Sequence, residues 1–101
     1  MKVYISGGIT GVENYLHHFL VAQERLEKIG VEVITPARIL LEMPKSTSYE
    51  EYIRVCIELI NQCDEILMLN GWENSRGAMF EKHYAEIMGK GVIYEMSKMR
   101  C

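Results

Sequence analysis

Short apolar runs alternate with longer stretches in which apolar residues recur every three or four positions. Lys2 to Ser6 is apolar and β-branched and ends at Gly7-Gly8, the pattern of a strand. From Asn14 to Ile29 the apolar positions Tyr15, Phe19, Ala22, Leu26 and Ile29 trace one stripe of a helix. Gly30 stops that helix, and Lys28 complements its negative end. Val31 to Ile34 reads as a second strand, closed by Pro36. Thr35 to Thr47 is a long connection with a short helical piece at Ala37 to Glu42.

Ser48 and Glu51 form a capping box, in which each side chain satisfies the other's backbone amide. The helix it opens carries Ile53, Cys56, Ile57 and Ile60 on one face. Glu65 to Leu69 is a third strand, Asn70 to Ser75 a polar loop, and Arg76 to Met88 a third long helix that stops at Gly89. Val92 to Tyr94 is the fourth strand, and Glu95 to Cys101 a tail with little pattern. Strands alternating with helices call for a parallel sheet covered on both faces. Right-handed crossovers make it a small doubly wound α/β sheet, Rossmann- or flavodoxin-like, of about four strands. Ligands of such sheets bind beyond the carboxyl ends of the strands. That edge comprises Ser6 to Val12, Thr35 to Thr47 and Asn70 to Gly77.

At 101 residues, 49% of them hydrophobic, the chain suits a single domain over residues 1–101 and excludes a disordered tail. No apolar run approaches the length of a membrane helix, and Met1-Lys2 leads straight into a strand, without a secretory signal. A net charge of −3 argues against a nucleic-acid polymer as partner but leaves room for a small anion in a local pocket. Cys56, Cys63 and Cys101 show neither paired nor metal-ligand spacing, which suits reduced thiols in the cytoplasm. His17, His18 and His83 also lack metal spacing, and no cofactor motif is present.

Three places carry candidate chemistry. The loop Ser6-Gly7-Gly8-Ile9-Thr10-Gly11 is either a tight strand-to-helix turn or a phosphate cradle, and it is neither a dinucleotide fingerprint nor a P-loop. Glu81 is the second. At about 100° per residue, Gly77, Tyr84, Ala85 and Met88 share one face, Phe80 and Ile87 flank it, and Glu81 falls inside the arc. A carboxylate there either serves as a nucleophile or base, or snorkels out or caps a loop amide. The third is the loop Asn70-Gly71-Trp72-Glu73-Asn74-Ser75. Its Trp72 either stacks on a base or sugar or packs as a lid on its own domain, and Ser75 is also suited to cap the following helix.

The segments Val3-Tyr4-Ile5-Ser6-Gly7-Gly8-Ile9-Thr10-Gly11 and Asn70 to Glu81 together resemble the nucleoside 2-deoxyribosyltransferase-like superfamily. The likeness runs from Lys2 to about Tyr94 and is closest to a short, DUF4406-like branch of phage-borne or bacterial proteins. The resemblance implies that Glu81 attacks the anomeric carbon and displaces the base, with Tyr4 supporting it. It places Ser75 at a 5′-phosphate and Gly8, Ile9, Thr10 and Gly11 under the sugar and phosphate. Two positions depart from the pattern. Thr10 stands where the nucleotide-hydrolysing branch has Arg, and Cys56 where relatives have an Asp that handles the leaving base's proton.

The resulting expectation is a cytoplasmic domain with strand order 2-1-3-4, which binds a nucleoside or nucleoside monophosphate and needs no cofactor or metal. Glu81 and Tyr4 are its catalytic residues. Its binding residues are Ser6, Gly7, Gly8, Ile9, Thr10, Gly11, Cys56, Asn70, Trp72, Asn74, Ser75 and Gly77. The reaction is N-glycosidic cleavage through a Glu81 glycosyl intermediate, with hydrolysis preferred to transfer. By the resemblance the chain assembles as a homodimer or larger. Two other readings stand beside it. One is a binding or sensing module that lost catalysis with its Asp. The other is an interaction protein that uses Met96 to Cys101.

Overall fold

The computed structural model describes residues 1–95; the tail contact at Met96 to Cys101 therefore lies outside the described residues. The strands are β1 (Lys2–Ser6), β2 (Glu32–Ile34), β3 (Glu65–Met68) and β4 (Gly91–Tyr94). The helices are α1 (Tyr15–Lys28), α2 (Pro36–Glu42), α3 (Tyr49–Asn61) and α4 (Arg76–Ile87), and a single 3₁₀ turn spans Trp72–Asn74. All strand pairs are parallel and the order is β2-β1-β3-β4. Strand order reverses between β1 and β3, so the loops after these two strands flank the crevice where doubly wound sheets bind ligands.

Element ends shift by a residue or so from the sequence expectation. Pro36 opens α2 at its first position, where a missing amide and a fixed φ suit the helix start. Within the expected polar loop, Gly71 with φ of 90° turns the chain into the 3₁₀ segment.

Alternation along β1 divides the core. Val3 and Ile5 join Phe19 and Ala22 of α1, Ala37 of α2, and Leu67 and Leu69. Tyr4 points to the other face, with Cys56 and Ile60 of α3, Ile66 and Met68 of β3, and Ala78 and Ala85 of α4. A fully buried side chain such as Phe19 contributes about 1.5–3 kcal/mol by leaving water, and its truncation to Ala costs about 3–5 kcal/mol. In the α1 stripe Phe19 and Ala22 are buried and Tyr15 and Leu26 partly buried, whereas Ile29 caps the helix in solvent.

The inward face of α4 differs from the one its apolar residues outline. Phe80, Ile87 and Met88 are exposed, and the buried residues are Ala78, Glu81 and Ala85. Two alanines at i and i+7 let the helix axis lie close to the sheet, which larger side chains on that meridian would prevent. Phe80 stacks outside on Tyr84 at 6.5 Å between ring centroids.

Candidate active site

The period of two along β1 sends both Tyr4 and Ser6 toward α4. Ser75 caps α4, its hydroxyl accepting the Ala78 amide at 3.1 Å. One and a half turns on, Glu81 meets the end of β1. Its side chain is only 6% exposed. Tyr4 donates its hydroxyl to Glu81 Oε2 at 2.8 Å, and Ser6 donates to Oε1 at 2.6 Å. Glu81 therefore neither snorkels nor caps a loop. Among the described residues no buried side-chain polar atom lacks a partner.

Burial pushes the Glu81 carboxyl above its ordinary range, and hydrogen bonds from Ser6, Tyr4 and Cys56 oppose that push. The Tyr4 phenol is raised well above its usual value by burial first and then by the Glu81 charge, so it stays a donor. Burial, then the same charge, lifts the Cys56 thiol to about 11. Tyr52 is also raised, chiefly by burial.

Two adjoining chambers open at the carboxyl edge. The inner one, about 160 Å³, has Glu81 in its wall, with Gly7, Ile9 and Thr10 from the first loop and Gly77 and Ala78 from α4. Phe19, Pro36, Leu40, Tyr52 and Ile53 complete its apolar sides. The outer one, about 690 Å³, is lined by Thr10, Asn74, Ser75, Arg76 and Gly77, facing Glu50 and Phe80. Thr10, Tyr49, Ile53 and Gly77 belong to both. A Cβ on Gly77 would stand 2.7 Å from the Tyr49 hydroxyl, so this glycine lets the phenol approach α4.

The structure gathers Gly7, Ile9, Thr10, Asn74, Ser75, Gly77 and Glu81 on these chambers, with Tyr4 and Ser6 behind the carboxylate. Five other expected binding residues line neither chamber. Gly8 packs near Val12 and Ser75, and Gly11 makes a turn with φ of 74° and an open Cβ direction. Cys56 is wholly buried behind the site. The Asn70 amide donates to Glu95 Oε1 at 2.8 Å. Trp72 packs on Tyr94 with ring centroids 5.9 Å apart, and Lys82 Nζ lies 5.4 Å from its centroid. The 3₁₀ turn thus aims the indole at β4 and α4, the packing that the lid reading of Trp72 expects.

Sequence reading missed Tyr49, Tyr52, Ile53 and Arg76. The first three recur at helical spacing just after the capping box, a signal that they share one face at the site edge. Arg76 directly follows Ser75 and brings a cation to the outer chamber, which Thr10 also lines. Among the described residues no group of three or more His, Cys, Asp or Glu is placed to hold a metal ion, and no helix is long and apolar enough to cross a membrane.

The fold is similar to that of the 2-deoxyribosyltransferase from the psychrotolerant bacterium Bacillus psychrosaccharolyticus. The TM-score is 0.75 at 21% identity, over 98% of this chain and 78% of that one. That enzyme is described as a biocatalyst for nucleoside synthesis. No curated protein matches the sequence. A likeness at this identity carries the α/β architecture and the strand order. Residues 1–94 match the family described as a domain of unknown function, DUF4406, and the chain belongs to that family.

Proposed function

We propose that this protein cleaves the N-glycosidic bond of a nucleoside or nucleoside monophosphate. The observation that carries the reading is the Glu81 carboxylate, buried, held at both oxygens by hydroxyls, and facing a chamber. A carboxylate fixed in this way is a nucleophile with no freedom left to lose on attack. One Glu81 oxygen bonds to C1′ as the C1′–N bond breaks, giving a glycosyl ester. Water then yields the free sugar, or another base yields a new nucleoside, as in double displacement by retaining glycosidases. Hydrolysis is the preferred outcome.

The two chambers suit the two ends of such a substrate. The inner chamber is too small for a whole nucleotide, since pockets for small molecules usually hold about 300–1,000 Å³. Asn74, Ser75, Arg76 and the start of α4 line the outer one. Backbone amides at a helix start and a guanidinium favour an anion such as a 5′-phosphate. A homodimer or larger assembly belongs to the same reading, and the exposed Met79, Phe80 and Ile87 on α4 suit such a contact.

The test is base release. Wild type and Glu81→Gln are incubated with ribo- and deoxyribonucleosides and their monophosphates, with and without an acceptor base, and products are separated by chromatography. Base release by wild type and its loss in Glu81→Gln are expected. No release from any substrate by a folded sample that still binds nucleotide would leave a binding module instead.

A further inference from the structure

The inner chamber has an unusual charge balance for glycoside cleavage. Among the described residues, Glu81 is the one Asp or Glu in its lining, and no Lys, Arg or His lines it. The other carboxyl on the cleft walls, Glu50, lines the outer chamber alone. Rings of Phe19, Tyr49 and Tyr52 form part of the inner wall. A neutral base leaves C1′ as an anion unless an acid protonates it, and such acids work best with a pKa near the operating pH. The groups facing Glu81 are Tyr4 and Ser6 from β1 and Cys56 and Tyr52 from α3. None is an acid of that kind: Ser6 is a hydroxyl, the two phenols are raised, and the thiol lies at about 11.

We propose that the substrates are N-glycosides whose base is already cationic, a pyridinium or N7-alkylated purine nucleoside or its 5′-phosphate, with the base against the aromatic wall and C1′ beside Glu81. This rests on the glycoside-cleavage reading and adds the class of leaving group. A cationic ring gains from an aromatic face and from a carboxylate in a chamber with mostly apolar walls. Its departure needs no acid. Glu81 oxygen forms the bond to C1′, and the C1′–N electron pair returns to the ring nitrogen, which becomes neutral. In the second step water oxygen bonds to C1′, the ester pair returns to Glu81, and one proton passes to solvent.

The experiment compares nicotinamide riboside, its 5′-phosphate and 7-methylguanosine with adenosine, deoxyadenosine, inosine and thymidine, using wild type and Glu81→Gln. Released base is measured by chromatography and proton release by a pH indicator. The cationic glycosides are expected to show kcat/KM at least ~100-fold above every neutral one, the lower range of what a general acid supplies. Hydrolysis of nicotinamide riboside releases one proton per turnover, and its kcat/KM has an acid limb and no alkaline limb up to pH 9. A neutral-base nucleoside cleaved within 100-fold of the best cationic one, or a falling alkaline limb with nicotinamide riboside, overturns the inference and leaves glycoside cleavage standing. Absence of cleavage throughout the panel, or cleavage undiminished in Glu81→Gln, removes the glycosidase reading and the inference with it.

Discussion

The Ser6 hydroxyl donates to Glu81 Oε1 at 2.6 Å, joining the last residue of β1 to the second turn of α4. Tyr4, two residues earlier on the same strand face, takes the other oxygen. The carboxylate is thus oriented by β1, one of the two central strands of the sheet.

Removing either hydroxyl leaves the buried charge less supported. Ser6→Ala and Tyr4→Phe are each expected to lower kcat about 10- to 100-fold, since a hydrogen bond to a charged group is worth about 1.5–3 kcal/mol. Both move the acid limb of the rate profile to higher pH, because each hydroxyl lowers the Glu81 pKa. A pH–rate series on the two variants checks this; an acid limb that stays in place would show that neither hydroxyl bears on the charge.

Glu81 also governs stability against pH. Burial raises its folded pKa above the unfolded value, so between the two values the folded state binds more protons and stability falls as pH rises. Glu81→Gln removes that slope. It is expected to be more stable than wild type at pH 7–8, by on the order of 1 kcal/mol, with the difference shrinking at pH 4. Urea titrations at the two pH values give the comparison.

A methyl group at Gly77 meets the tip of Tyr49, a flexible side chain, and not backbone. Gly77→Ala is therefore expected to change stability by less than about 1 kcal/mol, as the phenol swings aside. It alters the junction of the two chambers and so raises KM more than it lowers kcat. Equal losses in both would point to a disturbed Glu81 instead.

Ser48 caps α3: its hydroxyl accepts the Glu51 amide at 3.0 Å while Glu51 accepts the Ser48 amide at 2.8 Å. Ser48→Ala is expected to lose about 0.5–2 kcal/mol in chemical denaturation. Because Tyr49 and Tyr52 stand on this first turn, fraying there also weakens substrate binding. Denaturation and KM measured on the same sample test the link.

The sequence determined a good deal by itself. Apolar alternation and helical spacing fixed the elements and their order, since both are local consequences of backbone geometry. The Ser48 capping box and the Gly89 stop depend only on neighbours in the chain. Glu81 stood out because a charge within an apolar arc conflicts with its surroundings. The meridian that α4 turns inward was decided by tertiary structure, because only the sheet's proximity favours Ala78 and Ala85 over Phe80 and Met88. The same holds for Trp72, whose partners Tyr94 and Lys82 lie on other elements. It holds too for the wall formed by Tyr49, Tyr52 and Phe19, residues from separate helices that meet only when α1 and α3 close over the carboxyl edge. Spacing along one chain records which residues share a face; which faces meet is set by packing density and burial across the whole sheet.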